Sequence, residues 1–242
     1  MPSDIRVYSA SPLTILALVV VIIVAILVAI LLFFGLIGKA FTQLGLSLPV
    51  AIALVLLILL CSLVNIPVWK VKKETIRMPH GEAGQFPDGF TPSEVGGMWE
   101  TSIAVNLGGA IIPTMMACWL LYQPSVVTSG STLYLQVAAA TLIVAAIAYV
   151  TTRPMVGLGL RVPLFVPGLT AILCGILFTG SFFGQFSAGV IAFVSAVFGI
   201  LLGANLAHLP HVGDLEVPQV SIGGAGTFGA IFIGCILSAI IA

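Results

Sequence analysis

From Leu13 to Ile37 the chain runs for 25 residues without a charged or amide side chain. A transmembrane helix needs about 20 such residues, and a helix of this length is about 37 Å long. Six further apolar runs follow, so the sequence predicts seven membrane-spanning helices at 13–37, 48–69, 101–122, 132–150, 162–180, 187–206 and 219–241. The runs lack the period-2 alternation of a barrel strand. Composition agrees: 60% of the 242 residues are hydrophobic and 7% charged, where a soluble domain carries about a quarter charged residues. The fold expected is therefore all-α, a single polytopic bundle over 1–242 in the cell membrane, with the lipid bilayer as its first partner. Net charge is zero, which points away from nucleic acid.

The first run is too long for a signal-peptide core and lacks small residues at a cleavage position, so it is expected to stay as an anchor. Orientation follows from the basic residues. With seven spans, Arg6, Lys70, Lys72, Lys73, Arg77, Arg153 and Arg161 fall on the N-terminal side and Lys39 on the other. The N-terminus is then cytosolic and the C-terminus outside. Trp69, Trp99 and Tyr149 fall near one rim, and Trp119, Tyr122 and Tyr134 near the other. The one long connection, 70–100, holds Pro79, Pro87 and Pro92 and charges of both signs, and reads as an irregular cytosolic loop. Its basic start, Lys70 to Lys73, is placed to meet anionic headgroups, or acts only as the topology signal. No internal repeat marks a duplicated transporter half. Cys61, Cys118, Cys174 and Cys235 all sit in apolar runs without Cys-x-x-Cys spacing and read as small packing side chains.

Polarity within the runs is not evenly spread. Asn65 and Pro67, Asn106-Leu-Gly-Gly109, Pro163 and Pro167-Gly168, Gly203-Ala-Asn205, and Ser221 to Thr227 all fall in the cytosolic half of five different helices. An amide in hydrocarbon needs partners, and Pro and Gly free backbone groups that need them too. Two readings follow. The asparagines hydrogen-bond one another across helices, at about 0.6 kcal/mol each on average, or they line a polar cavity open to the cytosol. The candidate ligand-binding residues are Asn65, Asn106, Asn205 and Thr227 as hydrogen-bonding groups, with Gly224 and Gly226 giving close approach. Small residues four apart, Ser195, Gly199, Gly203 and Ala207 on the sixth helix and Gly226, Ala230, Gly234 and Ser238 on the seventh, predict that these two helices pack closely. On a regular helix Asn205 would point about 200° away from Gly203, and so away from that seam unless the helix end is distorted.

Between them lies His208-Leu-Pro-His211-Val-Gly-Asp214-Leu-Glu216. His208, His211 and Asp214 are weak metal candidates, with His80 and Glu82 on the same side. Pro210 is expected to break any i, i+3 geometry, and no fourth ligand is set by spacing, so the stretch reads as a solvated loop. No sequence feature calls for a cofactor.

Leu63-Val-Asn-Ile-Pro67, Ala104-Val-Asn-Leu-Gly-Gly-Ala-Ile-Ile-Pro113, Gly203-Ala-Asn205-Leu and Ser221-Ile-Gly-Gly-Ala-Gly-Thr-Phe-Gly-Ala-Ile-Phe232 resemble a family of prokaryotic membrane proteins known as domain of unknown function 1614, over nearly all of the chain. The resemblance implies aspartate where Asn205 and Gly229 stand, a pattern similar to presenilin-like intramembrane proteases, in which two carboxylates share a proton. Here neither carboxylate is present, and no Asp or Glu falls inside any of the seven runs. The sequence therefore supports a non-enzymatic membrane protein that binds or transports a small solute, ion or lipid. The alternatives are a catalytically inactive protease-like protein that binds membrane segments, and an accessory subunit of a membrane complex.

Overall fold

The computed structural model describes residues 12–77, 95–181 and 184–242. Two helices open the chain, α1 (Pro12–Thr42) and α2 (Leu48–Cys61), followed by an antiparallel pair, β1 (Asn65–Arg77) and β2 (Val95–Asn106). A π-turn over Leu107–Ile111 leads into α3 (Ile112–Leu121), then the short α4 (Pro124–Thr128) and the long α5 (Ser131–Thr151). A small hairpin, β3 (Arg153–Met155) and β4 (Gly159–Arg161), precedes α6 (Val166–Thr179) and α7 (Phe186–Ile200). A second π-turn, Leu201–Asn205, and a 3-10 stretch, Leu206–Leu215, lead to β5 (Gln219–Ile222) and α8 (Phe228–Ile241).

The protein is mostly helical and apolar, as its sequence requires, and has the helices of a membrane protein. Among the described residues, three helices are long and apolar enough to cross a membrane: Val19–Thr42, Ser131–Thr151 and Phe186–Leu215. Four shorter apolar helices cover Leu48–Cys61, Leu107–Leu121, Val166–Thr179 and Phe228–Ile241. At 14 residues, a helix reaches only about 21 Å, against about 30 Å of hydrocarbon.

What shortens them is a sheet that the apolar runs conceal. The expected second helix, 48–69, stops at Cys61. Pro67 cannot donate to a helix and disfavours helical backbone at Ile66, and the β-branched and aromatic run from Val64 to Val71 suits a strand. The expected third helix, 101–122, begins as the end of β2. The expected seventh, 219–241, begins as β5, which lies parallel to β2 with Ser102 opposite Gln219 and Val105 opposite Ile222. The order is β1-β2-β5. The described ends of the expected irregular loop, 70–77 and 95–100, belong to the paired strands β1 and β2, while 78–94 lies outside the described residues. The 3-10 stretch likewise replaces the expected loop. Its Val212 and Leu215 join Ile103, Leu160, Val217 and Val220 in a second small apolar core under the sheet. Chain alternation places the β1–β2 hairpin, the β3–β4 hairpin and the stretch 206–227 at one end of the bundle.

The bundle's own core centres on α7. From Ala188 to Val197 every residue is buried, whereas α1 exposes its apolar side chains all round from Val19 to Leu32. A helix apolar on every side is either the core or a lipid-facing span, and these two helices are one of each. Gly199 of α7 and Gly203 of the π-turn after it serve α5. A Cβ on Gly203 would land on the backbone oxygen of Ala145, and one on Gly199 would come 2.6 Å from Val144 Cβ. The contact of α8 with α7 runs through Gly234 against Ala196, at 3.0 Å for an added Cβ. Close packing of α7 and α8 is thus present, but the α7 stripe faces a different helix from the one expected.

Gly203→Ala should lower the melting temperature in detergent. Overpacking costs about 1–3 kcal/mol, and each kcal/mol is worth about 2–4 °C at this chain length. Gly35→Ala, where an added Cβ meets nothing within 4 Å, should leave the melt unchanged or raise it.

Candidate functional site

The helix–sheet junction gathers the polar residues. Asn65 and Asn106 are the directly opposed pair at the inner end of the β1–β2 ladder. Asn106 Nδ2 donates to Asn65 Oδ1 at 2.9 Å and to the Ser62 carbonyl at 2.6 Å. Its Oδ1 accepts from the Gly109 amide at 2.7 Å. One buried side chain therefore serves a carbonyl left over at the end of α2 and an amide left over at the start of the π-turn, the groups a helix cannot satisfy for itself. Ser221 Oγ, at the end of β5, donates to the same Asn65 Oδ1 at 2.5 Å. Three segments distant in sequence meet on that oxygen.

The loop from Ile222 to Thr227 closes over this pair. Gly223 has φ of 73° and lies so close to the π-turn that a Cβ on Gly109 would strike its carbonyl oxygen. Gly226 has φ of 92°, its carbonyl accepts from the Val162 amide at 3.1 Å, and an added Cβ would strike the Leu160 carbonyl. Left-handed backbone at both positions favours glycine independently of the space. A side chain on Gly224 would collide with Ser221 Oγ and come 3.2 Å from Asn65 Oδ1. This glycine is what allows the serine to reach the asparagine.

Asn205 joins through the backbone. It stands at the end of the π-turn over 201–205, facing a different element from Gly203, and its Oδ1 accepts from the Gly223 amide at 3.3 Å. Its Nδ2 is buried and has no partner. Thr227 is also buried, but its hydroxyl donates back to the Gly224 carbonyl at 3.2 Å. It closes its own loop rather than joining the asparagines. Asn65, Asn106 and Ser221 thus form one network, Asn205 touches the adjoining loop, and Thr227 stands apart.

Two cavities lie elsewhere among the described residues. One of about 370 Å³ is lined by Ser131, Gln136 and Phe178, and one of about 430 Å³ by Tyr134, Thr141 and Phe198. Both flank α5 and neither includes an asparagine of the cluster. Asn106 and Asn205 are buried, at 1% exposure each, with Asn106 tied to its neighbours. Asn65 is exposed and Ser221 half-buried, so the junction opens to solvent along one side.

The metal candidates do not converge. His208 and His211 lie three apart on a 3-10 helix, so Pro210 does not break that spacing, contrary to the sequence expectation. His208 Nδ1 lies 3.1 Å from the Gly203 carbonyl, and its ring packs on Tyr149 with centroids 4.8 Å apart. Among the described residues no three His, Cys, Asp or Glu side chains come together; His80 and Glu82 lie outside them. At position 229 an added Cβ would meet Leu164 Cδ1 at 2.7 Å and nothing else within 4 Å, so Asn205 is not its immediate neighbour.

Charge enters on the hairpin beyond the junction. Lys70 Nζ lies 2.6 Å from Glu100, and Lys72 Nζ 3.8 Å. The hydrogen bond from Lys70, then its charge, holds the Glu100 carboxyl below its ordinary value, and the same bond raises Lys70. The lowered carboxyl contributes stability above its unfolded value that is lost as pH falls through the folded one. The raised ammonium contributes below its unfolded value, and this is lost as pH rises through the folded one. Both groups are exposed, so the effect is local. Titration followed by NMR of the Glu100 carboxyl should show the lowered midpoint return toward an ordinary glutamate in Lys70→Ala.

Removing Asn106 should be the costliest change here. Asn106→Ala orphans the Ser62 carbonyl and the Gly109 amide, at about 1–3 kcal/mol for each buried group. Asn106→Asp retains the acceptor but loses both donated bonds, and should also destabilise. Ser221→Ala, at the open side, should cost less than either in the same chemical-denaturation series.

No curated protein and no solved structure matches the chain. The family model described as a protein of unknown function, DUF1614, matches residues 59–241. The match takes in every residue of the polar junction and leaves out α1 and most of α2, a narrower reach than the motifs suggested. On that match, the chain belongs to the DUF1614 family.

Proposed function

We propose that this DUF1614 protein is a multi-pass, non-enzymatic protein of the cell membrane whose helix–sheet junction faces the cytosol and binds a small polar ligand. The ligand is a solute, ion or lipid headgroup that offers a hydrogen-bond acceptor. The observation that carries this reading is Asn205 Nδ2, a donor buried without a partner, beside a junction whose other asparagine, Asn106, is fully used. A buried orphan donor costs about 1–3 kcal/mol, and such groups are found where a bound molecule supplies what the fold does not. The π-turn that aims Asn205 supports the same reading, because single π-turns inside helices gather at functional sites. The glycine loop beside it lets a ligand approach the backbone closely.

The basic residues support the orientation. Lys70, Lys72, Lys73, Arg77, Arg153 and Arg161 belong to the segments that make up the sheet end of the bundle, and Lys39 lies at the end of α1. By the positive-inside rule the sheet end is cytosolic. The absence of acids from the apolar runs argues against proton-coupled transport and against aspartyl proteolysis in this chain.

Asn205→Leu separates a ligand-serving amide from a merely tolerated one. The substitution removes an unpaired buried donor but also orphans the Gly223 amide, so the melting temperature of the ligand-free protein should change little. The substitution should abolish the thermal shift given by any solute that stabilises the wild type in a screen of small polar acceptors. A variant that keeps the full ligand shift would sink the assignment of Asn205.

A further inference from the structure

The β3–β4 hairpin carries a feature that fold stability does not explain. Arg153 and Arg161 are directly opposite each other in its ladder. Both are exposed. Opposed residues share one face with Cβ atoms about 5 Å apart, and like charges so placed repel. Among the described residues neither arginine makes an ion pair. Contrast β1, where Lys70 and Lys72 share the carboxylate of Glu100. The hairpin is also held firmly. The Gly157 amide donates to the Leu215 carbonyl at 2.8 Å at its tip, and the Val162 amide to the Gly226 carbonyl at 3.1 Å at its base. Leu160, next to Arg161, is buried in the second core. Strand alternation therefore turns Arg161, and with it Arg153, outward.

The surroundings of the pair are apolar. Arg153 follows α5 by two residues, and Arg161 precedes α6 by five, so the pair sits at the border of two apolar helices. Met155 lies two residues from Arg153 on the same face and is exposed, as are Val156 and Leu158 at the tip and Phe165 at the start of α6. Exposed apolar side chains beside cations at the end of apolar helices fit the boundary between acyl chains and headgroups.

We propose that Arg153 and Arg161 together clamp the phosphate of an anionic lipid headgroup in the leaflet at the sheet end, with Met155, Val156, Leu158 and Phe165 against its acyl chains. Two guanidinium forks on one face offer parallel N–H donors to one phosphodiester. The bound anion relieves their repulsion. This site is separate from the asparagine junction and does not depend on what binds there.

The test is native mass spectrometry of the full chain in mild detergent, titrated with dioctanoyl phosphatidylglycerol, dioctanoyl phosphatidylcholine or inorganic phosphate. Wild type should bind the glycerol lipid in preference to the choline lipid, and phosphate should not displace it. Arg161→Gln should weaken binding by about tenfold, the size expected for one lost charge-assisted contact, and Arg153→Gln/Arg161→Gln should abolish it. Lys72→Gln should change nothing. Arg153→Lys/Arg161→Lys keeps the charge and the fold and should bind with intermediate affinity, because ammonium lacks the fork. Equal affinity of wild type and either double variant would overturn the clamp. Displacement of the lipid by equimolar inorganic phosphate would overturn the lipid as its occupant.

Discussion

Backbone polar groups cannot go unpaired in hydrocarbon, and this chain meets that constraint with helices too short to do so alone. Each helix end leaves amides or carbonyls without an intrahelical partner. At the sheet end of the bundle, α2, the π-turn before α3, and α8 all end or begin beside strands. The strands pair with one another, and Asn106 serves the remainder, bonding the Ser62 carbonyl and the Gly109 amide with one side chain. Remove that residue and two elements lose their ends together. The sheet is therefore part of how the bundle terminates, and not an appended domain.

The same constraint explains the glycines. Bringing the loop after β5 against the π-turn requires backbone on backbone at Gly109 and Gly223, and again at Gly226 and the Leu160 carbonyl. Any side chain at these points would hold the segments apart and break the Ser221 to Asn65 contact. Packing here fixes polar geometry, and the polar geometry in turn fixes which residues remain unsatisfied. Asn205 Nδ2 is the group left over.

Much of this was legible in the sequence, and the failures share one cause. Apolar length located α1 and α5 well, and depth mapping brought Asn65 and Asn106 to one place from segments 41 residues apart. It could not see the sheet. A short strand within an apolar stretch reads as part of a continuous apolar run, as a helix does, so Thr101 to Asn106 and Gln219 to Ile222 were absorbed into spans. Pro67 and the β-branched run around it were the available signal. The glycine stripe of α7 was real, but its partner, α5, was a matter of three-dimensional arrangement that spacing does not encode. Of the two readings of the asparagines, direct hydrogen bonding describes Asn65 and Asn106, whose side-chain amides meet.

The central claim is that the buried side of the junction is closed by its own hydrogen bonds apart from the donor on Asn205. Site-resolved amide hydrogen exchange of the protein in lipid nanodiscs tests it most directly. The Gly109 amide, held by Asn106, should exchange as slowly as the amides of α7, while the Gly223 amide, on its longer bond to Asn205, exchanges faster. Exchange at Gly109 as rapid as in an exposed loop would mean a water-filled junction, and would contradict the account.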